Sequence, residues 1–560
     1  MMRRLLVFII FFALFDMAAV VSKACEEASY NDTSMQLHVP VVTVDSKSYY
    51  AADLQLKGST LYLLRGSQAQ SLTNGCQSSF DSKTLTLSIP FIPLSGKYYS
   101  IIMKAAADYS FPLQNITPTT LSATRKITIG KETGKTLRQL TGVNTGPYAS
   151  GDQGNPPLDT QYKQIGVTMV RTHGFEGPFD MYEIYHDHTK DPNDEKSFNF
   201  TNSDVRYRSI ANNGHELYLR VGDGWNNPTP PEPEHLDNYV TAMVNVVRHY
   251  KSGKWNGYTG NIRYVEIWNE PDGAFWPGYT MDYFTEFYIK AAKAIKAAFP
   301  DLKVGGPGFA PSATLTDSRK TEVEQFVSKL ASSGATLDFL SWHLYTNTPN
   351  KYTPAANYYR TILNKYGYVS SESHITEWNT QTNGDTTEDT ELRVNAKGAA
   401  INTAAWIVLQ LTDVTVSTFF RGTDTSMDLT TFFGLFKADG SSKKVALAFS
   451  LWSKMLNAGM VNPTVVNSAK ELSTTGGDTD FFVLAGKSTD GKITLLVANT
   501  ASAAVTYSLD FDKSTGLSTS NYSVEVSEVS DASDVVRTRA GNAGFITMGG
   551  YSVNLVTLTP

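Results

Sequence analysis

The sequence predicts an α/β protein in which a (β/α)8 barrel follows a small N-terminal β-domain and precedes a C-terminal β-sandwich. Three observations predict this architecture. Apolar runs of strand length alternate with amphipathic helical segments through the middle of the chain, and this alternation imposes a parallel sheet. Both ends of the chain carry short apolar runs separated by Gly, Ser and Asn turns. The length of 560 residues suits three or so domains, at roughly 100–200 residues each.

The composition excludes several classes of function. The chain has 48 Lys and Arg against 54 Asp and Glu, a net charge of -6, whereas electrostatic binding of nucleic acid needs clustered basic side chains. Its 29 Tyr, 28 Phe and 8 Trp argue against disorder, which goes with few aromatic residues and high net charge. Aromatic faces also stack on sugars, but most aromatic residues lie in protein cores, so this hint decides nothing alone.

Residues 1–24 are predicted to be an export signal. Arg3 and Arg4 precede an apolar run over residues 5–15, and Ser22-Lys-Ala24 supplies small residues before a cleavage point. The run is too short to span a bilayer. We therefore expect a secreted or extracellular product, or a periplasmic or cell-surface one, with no integral membrane segment after the signal is removed.

The two cysteines, Cys25 and Cys76, lie near the predicted mature N-terminus. In an oxidising compartment they are expected to form a disulfide, worth about 4 kcal/mol for a loop of about 50 residues. The alternative is a lipid-modified Cys25 at the cleavage site, although Ser22 and Lys23 fit a lipobox poorly.

Four segments follow from the patterning. They are a signal peptide at 1–24, an N-terminal β-domain at 25–135, a catalytic barrel at 136–458 and a C-terminal β-sandwich at 459–560. The strand-like runs of the two β-rich ends are 61–64, 85–89, 98–103, 481–484, 493–497 and 552–557.

Within the barrel segment, strands and helices alternate. Apolar residues recur at helical spacing over 235–250 and 281–298, which predicts two amphipathic helices. The predicted strands of the barrel are 167–171, 217–221, 264–268, 303–305, 339–342, 374–377 and 416–420.

Two of the strand ends carry a glutamate beside Trp and Asn. Strand-like residues run into Asn269-Glu270-Pro271, where the proline ends the strand. Glu377 ends a second run, and by strand count Glu270 closes the fourth strand and Glu377 the seventh. A barrel gathers the C-terminal ends of its strands around one mouth. Two carboxyls facing each other there suit glycoside hydrolysis, which needs an acid and a nucleophile or base.

Other candidate sites have weaker support. His186-Asp-His188 has metal-like spacing, but solvated histidine pairs in loops are commoner than ligands. The run Gly305–Gly308 lacks the Lys and Ser/Thr of a phosphate loop, so it more simply permits a tight bend. Trp225 and Trp276 are each either a sugar platform or a core residue at the mouth.

The barrel resembles glycoside hydrolase family 39, which contains retaining β-xylosidases and α-L-iduronidases. The resemblance covers residues 138–455. It rests on Arg171-Thr-His-Gly174, Phe198-Asn-Phe200, Glu266-Ile-Trp-Asn-Glu-Pro271, Gly305-Gly-Pro307, Trp342-His-Leu-Tyr345, Ile375-Thr-Glu-Trp-Asn379 and Phe433-Gly-Leu-Phe436. Trp342, Trp378 and the N-terminal β-domain depart from the family pattern, which leaves the sugar specificity open.

The resemblance implies roles for individual residues. Glu270 is similar to the acid/base of the family and Glu377 to its nucleophile. Asn269 is similar to the residue that contacts the sugar 2-hydroxyl. No metal and no cofactor is implied. The expected substrate-binding residues are His173, Asn269, His343, Tyr345, Trp378 and Trp225.

The mechanism sets the charge that each carboxyl must carry. Glu377 must be ionised, and a donor such as Tyr345 or a histidine is expected to hold it so. Glu270 must start protonated, and we expect the negative charge of Glu377, about 5 Å away, to raise its pKa.

These observations predict an exported retaining glycosidase, most similar to an exo-acting β-xylosidase, with an oligo- or polysaccharide substrate. Two alternatives remain open at this point. One is an endo-acting polysaccharide hydrolase on the same fold. The other is a carbohydrate-binding protein without turnover, which would have no need of two mouth glutamates.

Overall fold

The computed structural model describes most of the chain in two compact units, one containing the N-terminal β-sheet and the other the barrel. The predicted signal, Cys25 and Cys76 lie outside the described residues. Within the part of the chain that the structure describes, no helix is both long and apolar enough to cross a membrane. The described residues are 28–31, 33–44, 48–58, 60–68, 78–94, 97–118, 123–147, 157–173, 177–381, 387–424, 432–437, 439–456 and 469–560.

Eight parallel strands close into the predicted barrel. The first strand, Gly142–Asn144, is the one that the sequence patterning did not show, because three residues carry no detectable periodicity. It closes the barrel by pairing with both the second and the eighth strand. In order, the strands are Gly142–Asn144, Met169–Arg171, Glu216–Val221, Ile262–Ile267, Lys303–Phe309, Phe339–Tyr345, Glu372–Asn379 and Val414–Phe419.

Helices cover the outside of the barrel. The two amphipathic helices that the spacing predicts are present as Leu236–Ser252 and Met281–Ala298, and each buries its apolar stripe. The described α-helices are Asp159–Ile165, Met181–Ile184, Thr201–Ala211, Leu236–Ser252, Met281–Ala298, Asp317–Ser333, Tyr352–Lys365, Thr387–Arg393, Ala396–Gln410 and Lys444–Met455.

The barrel interior is packed rather than hollow. A layer of largely aromatic side chains fills its lower part, and they come from the second, third, fourth, sixth and eighth strands. The Tyr218 hydroxyl in this layer hydrogen-bonds His374 Nδ1 over 2.9 Å. This layer gives the polar groups above it a rigid floor, and its members are Met169, Tyr218, Tyr264, Phe339 and Val416.

A bulge in the seventh strand turns two consecutive side chains inward. Trp342 pairs with Ile375, but the next residue of the sixth strand, His343, pairs with Glu377. Thr376 is therefore an extra residue, as in a β-bulge. Regular strands alternate their side chains between faces, yet here both Thr376 and Glu377 contact groups inside the barrel.

The N-terminal β-domain is an eight-stranded sheet, antiparallel apart from one parallel pairing between its second and fifth strands. Its alternating apolar residues form a core of their own around Leu37, Leu54, Ile89 and Met103. The strands are Ser29–Asn31, Gln36–Val44, Ser48–Lys57, Thr60–Gln68, Ser78–Asp81, Thr86–Leu94, Lys97–Lys104 and Ser110–Pro118.

A second β-sheet has nine strands. One of them, Arg125–Thr136, pairs in parallel with Val505–Phe511, whereas the sequence boundary at 135 assigns this segment to the N-terminal domain. Local alternation shows that a strand exists but not which sheet it joins, so the boundary shifts here. The other strands are Lys470–Thr475, Phe481–Lys487, Ile493–Asn499, Ser523–Val529, Arg537–Ala540, Ile546–Met548 and Ser552–Thr559.

Candidate active site

Glu270 and Glu377 meet at the C-terminal mouth of the barrel. Glu377 lies in the seventh strand, as expected, whereas Glu270 lies just after the fourth strand, which ends at Ile267, instead of closing it. The two strands are the third and sixth of the seven runs named from the sequence, because the short first strand is not among those runs. One carboxylate oxygen of each glutamate and one ring nitrogen of His343 all lie within 4.8 Å of one another. The three side chains therefore form one compact cluster.

The backbone that presents Glu270 is strained. Trp268 has φ +75° and Glu270 has φ +47°, in the left-handed region that side chains other than glycine rarely adopt. The Glu270 amide donates to Gly308 O over 2.9 Å, which holds this turn in place. Gly308 itself has φ +65°, and a Cβ there would lie 3.0 Å from His343 Nε2. Strain of this kind, at about 1–3 kcal/mol for each residue, concentrates at functional sites.

Glu377 is surrounded by hydrogen-bond donors. Its Oε1 lies 2.9 Å from Arg171 Nη1 and 3.2 Å from His173 Nε2. Its Oε2 accepts from the Tyr345 hydroxyl over 2.7 Å. The expected donor Tyr345 is thus in position, and a buried guanidinium joins it. Donors to both oxygens favour a carboxylate over a carboxylic acid.

Arg171 is fully buried and links the polar groups of the mouth. Its Nε donates to Glu266 Oε2 over 2.6 Å, and its Nη2 donates to Asn269 Oδ1 over 2.7 Å. Its Nη1 donates to Asn144 and Glu377, each over 2.9 Å. Burial alone would lower the pKa of Arg171, but the two carboxylates raise it above its usual value, so the cation persists.

Glu270 lies in different surroundings, with 17% of its side chain exposed. Burial raises the pKa of Glu270 to about 7, partly opposed by the Arg171 cation. The expectation that Glu377 provides this shift is therefore corrected, since desolvation is the main cause. Glu270 Oε1 lies 2.6 Å from His343 Nδ1, and burial lowers the pKa of His343 to about 4.

Most of the predicted substrate-binding residues come together around this pair. His173, Asn269, His343 and Tyr345 each lie within hydrogen-bond or ion-pair distance of Arg171, Glu270 or Glu377. Burial, followed by the nearby Arg171 cation, lowers the pKa of His173 well below its usual range, so this imidazole is neutral.

Trp378 is not part of the cavity, which corrects the prediction. Its side chain is fully buried and points away from the interior, because it follows the inward-facing Glu377 in the strand. Its Nε1 donates to Ser417 Oγ over 2.8 Å, and its ring stacks on Trp452 at 6.0 Å. Trp378 therefore belongs to the packing between strand and helix.

The other two tryptophans divide between the two alternatives. Trp276 is buried among aromatic rings, with Trp268 at 4.8 Å, and is a core residue. Trp225 is 61% exposed in the loop after the third strand, and its ring lies 6.0 Å from Phe275. The adjacent Gly224 sits against the His173 imidazole, so Trp225 lies at the rim of the site.

The weaker candidates have structural explanations. His188 Nδ1 lies 3.1 Å from Glu232 Oε2, and His186 packs edge-on against Tyr182. In the run Gly305–Gly308, a Cβ at Gly305 would lie 2.1 Å from Phe339 O, so close approach of strands explains the glycine there. Among the described residues, only Glu270, His343 and Glu377 form a group of three that could each offer an atom to a metal ion.

Several residues of the site were not assigned roles from the sequence. Arg171 and Glu266 stand in motifs of the sequence analysis without a role of their own. The available signal was that each is a charged residue inside a strand-like run, which indicates a side chain that points into the barrel. Phe420, directly after the eighth strand, has its ring 6.1 Å from both His173 and Tyr345 and 5.3 Å from Phe433. These two rings form an apolar surface against His173 and Tyr345, the side chains that contact Glu377.

Comparison with known proteins places the barrel. Residues 130–373 match the family model of glycosyl hydrolases family 39. The predicted resemblance is confirmed. The chain is 39% identical over 121 residues to a β-xylosidase of Caldicellulosiruptor saccharolyticus, and 25% identical over 173 residues to one of Geobacillus stearothermophilus. These alignments cover 21% and 28% of this chain but only 22% and 32% of the two relatives.

Solved structures agree on the fold. A glucosidase from Croceicoccus marinus superposes with a TM-score of 0.63 at 25% identity, covering 79% of this chain and 100% of that one. A family 39 β-xylosidase from Caulobacter crescentus superposes with a TM-score of 0.55 at 18% identity, covering 77% of this chain and 100% of that one. The latter likeness shows the barrel fold alone.

Proposed function

We propose that the protein is an exported retaining glycoside hydrolase that releases xylose from the ends of β-xylosides. The observation that carries the proposal is the pair Glu270 and Glu377, whose nearest oxygens lie within 4.8 Å. Retaining enzymes hold their two carboxyls about 5–5.5 Å apart, whereas inverting enzymes leave about 6.5–9.5 Å for a water molecule. The family match and the two β-xylosidase relatives support the sugar class.

The two carboxyls divide the work in a double displacement. Glu377 attacks the anomeric carbon, and the glycosidic C–O bond breaks as Glu270 gives its proton to the leaving oxygen. A glycosyl ester on Glu377 results. Glu270, now a carboxylate, takes a proton from water as the water oxygen attacks the same carbon, which frees the sugar and restores both groups.

Activity on aryl glycosides tests the proposed reaction. We expect release of 4-nitrophenol from the β-xyloside to exceed release from the β-glucoside and the α-arabinofuranoside. Proton NMR of the first sugar formed should show the β-anomer. Appearance of the α-anomer before mutarotation would contradict the retaining mechanism. In a second test, Glu377→Ala should lose turnover, and added azide should restore cleavage with a product of inverted configuration.

The same assay separates the remaining alternatives. An exo-acting enzyme yields xylose as the first product from xylo-oligosaccharides, whereas an endo-acting hydrolase yields shorter oligosaccharides. A binding protein without turnover would bind these sugars and release nothing. We also expect a chelator to leave the rate unchanged, because each step uses only protein carboxyls.

Export needs a separate test. The basic and apolar pattern of residues 1–24 supports the proposal that the chain leaves the cytoplasm. N-terminal sequencing of protein recovered from the medium or the periplasm should give a chain that starts at Cys25. A retained Met1 would contradict this.

A further inference from the structure

A chain of hydrogen bonds leads from the acid/base into the interior of the barrel. Glu270 Oε1 lies 2.6 Å from His343 Nδ1, and His343 Nε2 lies 3.1 Å from Thr376 Oγ1. The Thr376 hydroxyl lies 3.0 Å from Glu266 Oε1. The side chains of Glu266 and His343 are fully buried, and so is Thr376.

The charge of Glu266, at the inner end of this chain, decides which group donates in each of its hydrogen bonds. Burial would raise the pKa of Glu266, but Arg171, Ser341 and their neighbours bring it below its usual value, so Glu266 is an ionised acceptor. The single hydroxyl proton of Thr376 therefore points to Glu266. Its oxygen must then accept from His343 Nε2–H.

This arrangement leaves one choice for the other ring nitrogen. His343 is neutral at ordinary pH, and a neutral imidazole carries a single N–H. With that proton on Nε2, Nδ1 is an acceptor. The short contact to Glu270 Oε1 is then a hydrogen bond only if the carboxyl supplies the proton.

We propose that Glu266 and Thr376 are positioning residues for the acid/base. They fix the tautomer of His343 so that its Nδ1 accepts the proton of Glu270. The protonated carboxyl gains a hydrogen bond that the carboxylate loses, because an oxygen lone pair would then face a nitrogen lone pair. Glu270 is thereby kept in the form that protonates the leaving oxygen. Only the assignment of Glu270 as the acid/base rests on the proposed function.

Other charged groups near Glu270 do not replace this effect. Arg171, from the second strand, favours the carboxylate form of Glu270. Glu377 Oε1 lies 3.7 Å from His343 Nε2, on the same side as Thr376, and also favours the Nε2–H tautomer. Asp272 follows Glu270 in the same loop, and its pKa is raised to about 7 mainly by burial, with a smaller contribution from the charge of Glu270.

The fold places Thr376 where this chain needs it. Without the bulge at this residue, strand alternation would direct its hydroxyl away from the interior whenever Glu377 faces inward. The bulge allows one strand to supply both the nucleophile and the hydroxyl that orients the partner of the acid/base.

The tautomer can be measured without any turnover. We would label the 9 histidines with nitrogen-15 in the full chain and assign the His343 signals by their loss in His343→Gln. At pH 6 we expect an unprotonated Nδ1 and a protonated Nε2. As pH rises, the Nδ1 shift should move with a midpoint near 7, the point at which Glu270 loses its proton. A protonated Nδ1 at pH 6 overturns the inference.

Matched variants test the role of the hydroxyl. Thr376→Val keeps the shape but removes the hydroxyl, and the Nδ1 midpoint should fall by about one pH unit, a size typical of one lost hydrogen bond. The alkaline limb of kcat/KM on 4-nitrophenyl β-xyloside should fall with it. Thr376→Ser restores the hydroxyl and should return both to the wild-type position.

The outcomes separate this inference from the proposed function. An unchanged midpoint in Thr376→Val overturns the inference even if the enzyme is fully active. Absence of turnover on every aryl glycoside overturns the proposed function, and the nitrogen-15 midpoints still decide the hydrogen-bond chain. If Thr376→Val does not fold, the wild-type tautomer alone supports or overturns the inference.

Discussion

The two mouth glutamates are the same residue type in opposite surroundings. Glu377 is contacted by the Arg171 guanidinium, the Tyr345 hydroxyl and a His173 nitrogen, all of which stabilise negative charge. Glu270 has desolvation and a neutral imidazole instead. When two carboxyls lie in environments that favour different protonation states, one site can supply both an acid and a nucleophile.

Substitution of Glu270 should separate substrates by their leaving groups. Glu270→Ala should reduce kcat/KM strongly, by about 10²–10⁴-fold, on xylo-oligosaccharides, whose leaving oxygen needs a proton. It should reduce activity on 2,4-dinitrophenyl β-xyloside far less, because that phenolate leaves unaided. Steady-state rates on both substrates check this. Equal losses would contradict the acid role.

The pH profile provides a second measurement on the same residue. With the pKa of Glu270 at about 7, kcat/KM should decline on the alkaline side around pH 7. Glu270→Gln has a side chain of the same shape without a titrating proton, so its alkaline decline should vanish. If the decline survives the substitution, another group is the acid.

At the scale of strands and loops, the sequence predicts the order of the barrel but not its irregularities. The run Tyr264–Trp268 and the proline after Glu270 are local signals, so the strand end and its glutamate follow directly. The bulge at Thr376 depends on pairing with a neighbouring strand. A regular strand without this bulge would direct the side chains of Thr376 and Glu377 to opposite faces. The sugar contact predicted for Trp378 rested only on its position next to Glu377 in the sequence.

Aromatic residues show the same limit. Composition predicts many rings but not which are exposed, since exposure is decided by packing against elements distant in the chain. Trp276 and Trp225 have similar local contexts after their strands. One is enclosed by Trp268 and Phe287, while the other is 61% exposed at the rim.

The loop after the third barrel strand should therefore contribute to binding of the leaving group. Trp225 lies beside Gly224, which abuts His173, and near Phe275 of the loop that carries Glu270. If the lost stacking contact costs about 1.4 kcal/mol of binding free energy, the affinity for the sugar falls tenfold. We expect Trp225→Ala to raise KM for xylotriose about tenfold and to leave kcat nearly unchanged.

A matched control distinguishes stacking from a general effect of removing exposed apolar surface. Val369 is 67% exposed and precedes the seventh strand, at the opposite end of the barrel. Val369→Ala should leave KM for xylotriose unchanged, and Trp225→Phe should retain most of the wild-type affinity. Identical KM values for all three variants and the wild type would contradict a platform at Trp225.

At the scale of the whole barrel, buried ionisable groups make stability depend on pH. Burial raises the pKa of five described carboxyls, Glu216 and the four whose values are given below, so the folded chain holds protons that the unfolded chain has released. Each contributes stability that is fully present below about pH 4, the unfolded pKa, and is lost as pH rises through the folded value. The pKa values are about 6 for Asp180 and about 7 for Asp223, Asp272 and Glu270.

Buried histidines act in the opposite direction over a lower range. Burial lowers the pKa of His215 and His343 to about 4, and lowers those of His173 and His374 below their usual value. The stability they contribute is present above about pH 6.5 and is lost as pH falls towards the folded values. Between about pH 4 and 6.5 the two sets of groups therefore oppose each other, and the effect of the carboxyls prevails only above that range.

The decisive window lies between pH 6.5 and 7.5. The buried histidines are neutral there in the folded chain, and in the unfolded chain they lose their remaining protons across the window, which offsets only part of the effect of the carboxyls. Lys443, whose pKa burial lowers to about 8, is still largely protonated. Each carboxyl near 7 then contributes a slope of up to about 1.4 kcal/mol per pH unit, with stability falling as pH rises. Calorimetry at constant ionic strength should show the Tm of the barrel decreasing across this window.

Asp272→Asn keeps the Oδ1 acceptor for the Ala310 amide and can place its NH2 where Oδ2 has no hydrogen-bond partner. Because it removes one titrating group, the variant should show a shallower decrease, and a Tm that rises with pH in the wild type would show that these carboxyls are ionised in the fold.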